Sequence, residues 1–353
     1  MSELTQEYFI AHEEYARDVI EEAGFFAMSY GDMQKLLEKS PVDYAKNEGN
    51  RLPIVYSAHG SPDAPYVIGG GTQFFGRVEQ PHHRIRRVIS QAVLDAKFGE
   101  GVFRTVEAAT HDPAPGTYTK NDMELMRDGI FDPQVARMRL AFKAAGVKPA
   151  QKIGTHGVSG SASAGIEFVR QALHGQLGDD FDARSLSAWE APRSVQRGAG
   201  GVALAFMTSG KEGFRSIVDG GARSILEARG IDLSDKQTEL KKTAKDLVGM
   251  AGYLRESWAG NMAIMRGFGT DKDVRRIEEL ASNTDVAIMY GRRQGSTVTD
   301  LEAYLSLQQQ FADREKFYTA NLEGDHSTDD NVIKSCGGMI AAAELMLGTN
   351  GQR

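Results

Sequence analysis

The spacing of apolar residues changes several times along the chain, and each change marks an element. Between residues 3 and 38, Tyr8, Phe9, Tyr15, Val19, Ile20, Phe25, Phe26 and Met28 recur at roughly helical intervals with acidic residues between them, which predicts a helix. Short apolar runs then alternate with helical stretches. Val42-Asp-Tyr-Ala predicts a short strand, Leu52 to Ala58 a stronger one and Val102 to Ala108 another. Between them, Gly69-Gly70-Gly71 reads as a loop or joint, and a helix is expected around Arg84 to Leu94. After the turn-rich His111 to Gly116, Pro133 to Ala145 predicts a helix with Gly146 as its cap. Ile153 to Val158 predicts a strand that runs almost directly into an apolar helix, Ala164 to Leu173. Strands are also expected at Arg184 to Glu190, Asp285 to Tyr290 and Lys316 to Leu322, with a last helix from Asn331 to Leu347.

Strands alternating with helices imply an α/β fold, a mostly parallel sheet with helices on both faces. Residues 193–283 depart from that rhythm, being mostly helical, rich in Lys, Asp and Glu, and jointed by Arg197-Gly-Ala-Gly-Gly201. They read as a helical cap inserted before the last two strands, over the strand C-terminal ends where open α/β sheets bind ligands. The expected organisation is an N-terminal helical extension (1–40), a core built from 41–192 and 284–353, and the cap (193–283). The extension is expected on the sheet edge or against a second subunit, which leaves a homo-oligomer open.

Composition narrows the function. A chain of 353 residues can bury a substantial core, and its formal net charge of −7 argues against a nucleic-acid partner. The basic cluster His82-His83-Arg84-Ile85-Arg86-Arg87 has the spacing of a helix with solvated faces. The single cysteine, Cys336, excludes an internal disulfide and reads as a buried thiol in an apolar helix of a protein from a reducing compartment. The acidic start lacks signal-peptide character, and no apolar run of about 18 residues exists, so the expectation is a cytoplasmic protein without a membrane partner. Neither a Cys pair nor H-E-x-x-H is present, and Gly69–Gly71 lacks a nucleotide-binding pattern, so no metal or cofactor is expected.

The chemistry centres on Gly157-Val-Ser159-Gly160-Ser161. A serine among small residues, between a strand and a helix, fits a nucleophile elbow, in which a tight turn lifts the hydroxyl above the sheet. Ser163, with Gly165 two residues later, offers a rival register. His59-Gly60-Ser61 follows an apolar strand, where the Ser61 N–H could face an oxyanion, with the Gly160 N–H as the second donor. Glu190 ends the following strand, and His326 lies in Gly324-Asp325-His326-Ser327 after the last one. His156, inside a strand, reads as a packed core residue.

The order nucleophile, acid, histidine, with these flanking motifs, resembles the α/β-hydrolases from about Val42 to Leu347. The resemblance implies Ser159 as nucleophile, His326 as general base, and His59, Gly60, Ser61 and Gly160 around the oxyanion. The family usually places its acid after the strand that here ends Ile288-Met-Tyr-Gly291, where this chain has no carboxylate before Asp300. Certain dehalogenases and lipases of the family carry the acid one strand earlier, which favours Glu190 and keeps Asp300 as the alternative. The expected activity is cleavage of a small or medium ester or related acyl substrate through an acyl-enzyme. A scaffold that has lost its acid, and an acyltransferase, remain the competing readings.

Overall fold

The computed structural model describes residues 2–25, 32, 42–47, 50–57, 64–71, 81–109, 118–144, 146–148, 151–158, 160–178, 181–191, 271–283, 285–295, 299, 301–324 and 331–348. Its strands are β1 (Val42–Asn47), β2 (Asn50–Ser57), β3 (Tyr66–Gly71), β4 (Arg104–Ala109), β5 (Lys152–Val158), β6 (Asp182–Trp189), β7 (Ala287–Arg293) and β8 (Phe317–Leu322). They form one sheet in the order β1-β2-β4-β3-β5-β6-β7-β8. The six strands from β4 to β8 in that order are mutually parallel, and β2 runs antiparallel to both β1 and β4. Past its first residue β5 is buried almost throughout, and β7 is buried along its length, as strands covered on both faces must be.

The helices are α1 (Ser2–Glu22), α2 (Pro81–Phe98), α3 (Lys120–Arg127), α4 (Asp132–Ala144), α5 (Gly160–Leu173), α6 (Asp271–Ala281), α7 (Leu301–Gln310) and α8 (Asn331–Leu347). On one face α4, α5 and α6 bury Phe142, Ile166, Phe168 and Ile277 against Leu186 and Ile288 of the sheet. On the other, α8 lies against β5 and β6, with α2 beside it. Small residues let α8 approach closely: a Cβ on Gly338 would enter the His156 ring, and Ser185 Oγ donates to the Ala342 carbonyl at 2.6 Å. His156 is thus the packed core residue expected, 3.3 Å from Ser187 Oγ. Cys336 is buried in α8, 3.7 Å from Ser90 Oγ.

Helix α1 forms an extra layer outside α8. Phe9, Ala16 and Ile20 are buried beneath it, and Glu344 of α8 meets Tyr8, His12 (3.2 Å) and Lys97 of α2 (3.7 Å). Burial alone would raise the Glu344 carboxyl, but the His12 and Tyr8 bonds and the charges of His12 and Lys97 hold it below its ordinary value. Burial and the same carboxylate push the Tyr8 phenol up.

Several expectations are corrected. The first helix ends at Glu22 rather than 38, because Gly24 turns the chain at a φ of 69°. Gly69–Gly71 is the end of β3, all three residues paired with β4 and the first two also with β5, and not a joint. Helix α3 was not expected; its signal is the capping box in which Thr119 and Asp122 satisfy each other's backbone. Most of the expected cap, 193–270, lies outside the described residues. The last part of the expected cap, α6, packs in the core, where Arg276 reaches Glu167 of α5 at 2.7 Å.

Candidate functional site

Strand β3 passes through α2 to β4 on one side, and its neighbour β5 passes through α5 to β6 on the other. At such a switch point the two connections diverge and leave a crevice beyond the strand ends. That crevice is bordered by Gly71 of β3 and Val158 of β5. Beyond β5 the chain turns back very tightly. A Cβ on Gly157 would lie 2.5 Å from the Ser161 carbonyl oxygen and 2.7 Å from the Ala162 nitrogen, so only glycine admits the start of α5 so close to the strand. As the first residue of α5, Gly160 brings one of the four amides for which a helix supplies no acceptor of its own.

One strand further on, Glu190 follows Trp189, the last residue of β6 and the partner of Val158. Glu190 is 3% exposed and has a φ of 52°, a left-handed conformation unusual for a residue with a Cβ. Its backbone N–H donates to the Gly291 carbonyl at 2.8 Å, and its Oε1 accepts the Arg293 N–H at 3.1 Å. The carboxylate is therefore pinned at the C-terminal ends of β6 and β7.

The β7 arginines tie the surrounding loops to that edge. Arg292 donates from Nε to the Thr299 carbonyl at 2.9 Å, and Thr299 Oγ1 donates to the Ala191 carbonyl at 2.8 Å. Arg293 stacks 5.0 Å from the Trp189 ring, donates to the Glu323 carbonyl at 3.2 Å and pairs with Glu13 of α1. Gly295 donates to the Gly324 carbonyl at 2.9 Å, closing β8 onto the same edge.

No protein-family model and no curated protein sequence matches the chain. Among solved structures it is similar to a candidate lipase (Lip1) from Acinetobacter baumannii AYE. The two share 12% identity over 90% of this chain and 96% of that one, with a TM-score of 0.51. It also matches the bromoperoxidase of Bacillus anthracis (12% identity, 87% and 99% coverage, TM-score 0.48). The enol-lactonase of Burkholderia xenovorans LB400 gives 12% identity, 86% and 100% coverage and a TM-score of 0.44. Strand order, the single antiparallel β2 flanked by a parallel set, and the first of these likenesses agree. The fold is that of the α/β-hydrolases.

Within this α/β-hydrolase fold the sequence-derived residues divide into two groups. Glu190 and Gly160 are described and stand on the crevice edge. Ser159, His326 and Asp300 lie outside the described residues. The described chain stops beside each of them: at Val158 and Gly160, at Gly324, and at Thr299 and Leu301. His59, Gly60 and Ser61 also lie outside. Their described flanks, Ser57 and Ala64, are at the opposite edge of the α/β-hydrolase sheet. There Tyr56 pairs with Val106, and the Ala64 carbonyl accepts from Gln151, the residue before β5. The crevice is at the other edge, roughly 20 Å away along a seven-residue strand. The strand that ends there, beside β5, is β3 with its three glycines. Ser163 is fully buried in α5.

Arg293 and Glu13 were missed. Nothing in the local sequence links positions 13 and 293, although two successive arginines at a strand end were a visible signal. Among the described residues no group of three or more His, Cys, Asp and Glu could hold a metal ion, and no helix is long and apolar enough to cross a membrane.

Proposed function

We propose that this chain is a serine hydrolase that cleaves a small or medium ester, or a related acyl compound, through an acyl-enzyme. The observation that carries the reading is the turn at Gly157, where strand and helix backbones meet too closely for any Cβ, at the switch point of an α/β-hydrolase sheet. Ser159 is the residue such a turn lifts above the sheet. Its Oγ attacks the acyl carbonyl while His326 takes the hydroxyl proton. The tetrahedral intermediate then expels the alcohol, which His326 protonates, and water repeats the sequence to release the acid and free Ser159.

Glu190 is the acid in this scheme: a buried carboxylate at the end of β6, held by the Arg293 backbone N–H, with the chain toward His326 fastened to the same edge at Gly324. It would keep the imidazole in the useful tautomer and stabilise the imidazolium. Asp300 is the second candidate, favoured by the clamp that holds its neighbour Thr299 to Ala191. Position 300 directly precedes α7, where an aspartate also serves as an ordinary helix cap. The oxyanion donors in this scheme are the Gly160 N–H and backbone at the end of β3, in place of Ser61. The substrate is a small molecule, and the chemistry calls for no cofactor. The test is labelling by a fluorophosphonate, in which Ser159 Oγ displaces fluoride from phosphorus. Labelling of the wild type and not of Ser159→Ala is expected; a folded wild type that takes no label overturns the reading.

A further inference from the structure

The N-terminal helix adds a layer that the sheet does not need for closure, yet one of its side chains enters the site edge. Glu13 pairs with Arg293 through both guanidinium nitrogens, Nη1 at 3.1 Å and Nη2 more closely. The Arg293 side chain is 5% exposed and that of Glu13 is 21% exposed, so solvent does little of the work of holding either. Gly337 of α8 makes the approach possible, since a Cβ there would lie 2.9 Å from Glu13 Cγ. Arg293 serves three further partners at once: its backbone N–H holds Glu190 Oε1, its guanidinium lies over Trp189, and its Nη1 holds the Glu323 carbonyl. Its Cδ also lies 3.8 Å from where a Cβ on Gly324 would sit. One residue thereby touches the neighbour of the acid and the chain leading to His326 with its side chain, and the acid itself with its backbone N–H.

We infer that Glu13 is a positioning residue for the hydrolase site, acting through Arg293 to hold together the Glu190 carboxylate and the chain at Glu323 and Gly324. The inference rests on the serine-hydrolase reading, and it makes α1 part of the active machinery rather than a surface layer. A buried guanidinium deprived of its carboxylate seeks other acceptors or water, and the backbone it braces moves with it. Displacements near 1 Å in a catalytic constellation cost on the order of a hundredfold in rate.

The test compares the fluorophosphonate labelling rate of the full-length wild type with Glu13→Ala, Glu13→Gln and Tyr8→Phe. Tyr8 is on the same helix but bonds Glu344 and not the site, so its variant weakens α1 docking alone. The expected result is a fall of tenfold or more in the maximal labelling rate of Glu13→Ala, with the half-saturating probe concentration unchanged. A smaller fall is expected for Glu13→Gln, which can still accept from Arg293, and none for Tyr8→Phe. Glu13→Gln decides the matter if Glu13→Ala does not fold. Wild-type rates in the Glu13 variants, or equal losses in Glu13→Ala and Tyr8→Phe, overturn the inference and leave the hydrolase reading intact. A folded wild type that takes no label removes both.

Discussion

Replacing Gly157 by alanine puts a methyl group where the strand-to-helix turn has no room. The new Cβ would stand 2.5 Å from Ser161 O, 2.6 Å from Ser161 C and 2.7 Å from Ala162 N, all backbone atoms of the first turn of α5. Comfortable contact between such atoms begins near 3.5 Å, so β5 and α5 must part by about 1 Å. Overpacking of this kind costs about 1–3 kcal/mol. The functional effect is larger, because the residue carried between strand and helix moves by the same distance, and about 1 Å is worth roughly a hundredfold in rate. Gly165→Ala is the matched control: its Cβ would sit 3.5 Å from Leu186 Cδ1, an ordinary contact, and alanine should strengthen the helix by up to about 1 kcal/mol. Fluorophosphonate labelling and urea unfolding of both variants provide the readout. If Gly157→Ala labels at the wild-type rate with an unshifted midpoint, the turn is not as tight as described and the elbow argument collapses.

Other substitutions probe the rest of the site and core. Glu190→Gln keeps an acceptor for the Arg293 N–H but removes the charge, and should slow labelling by about a thousandfold or more; Asp300→Asn should leave it near wild type, and the reverse result reassigns the acid. Gly338→Ala drives a Cβ into the His156 ring, which Ser187 holds, and should destabilise by about 1–3 kcal/mol despite alanine's helix preference; a raised melting temperature contradicts this. Burial alone would raise the Glu167 carboxyl, but Arg170, Arg276 and Gln171 hold it below its ordinary value. Its stabilisation is therefore full above an unfolded value of about 4.3 and lost as pH falls through the lower folded one. Glu167→Gln should flatten the loss of stability on the acid side in urea titrations, and an unchanged acid slope would count against the assignment.

What could be read from the residues was mostly local. The last helix, the strand from Ile153 and the cap at Gly146 each carry their signal within a few positions, and each lies where expected. Gly69–Gly71 misled because glycine usually marks a turn, whereas here all three pair with β4 and two of them with β5. The direction of β2 could not be read at all, since pairing sense depends on partners far along the chain. The acid stayed ambiguous for a related reason. Glu190 and Asp300 are both near strand ends in sequence, and the bond that favours Glu190 in the proposal comes from the backbone of Arg293, 103 positions away. The Glu13–Arg293 pair spans 280 positions and has no signature in either neighbourhood.

The layering of α1 on α8 also sets a timetable for synthesis. Phe9, Ala16 and Ile20 belong to α1, yet the surface that buries them is mainly α8, made much later. About 300 residues separate the end of α1 from the start of α8, which at about 5–20 residues per second is a wait of roughly 15–60 s. Through that interval the nascent chain carries an apolar stripe with no native cover, a ready target for chaperones. Docking of α8 is then a single closing event, in which α1 and α8 seal together.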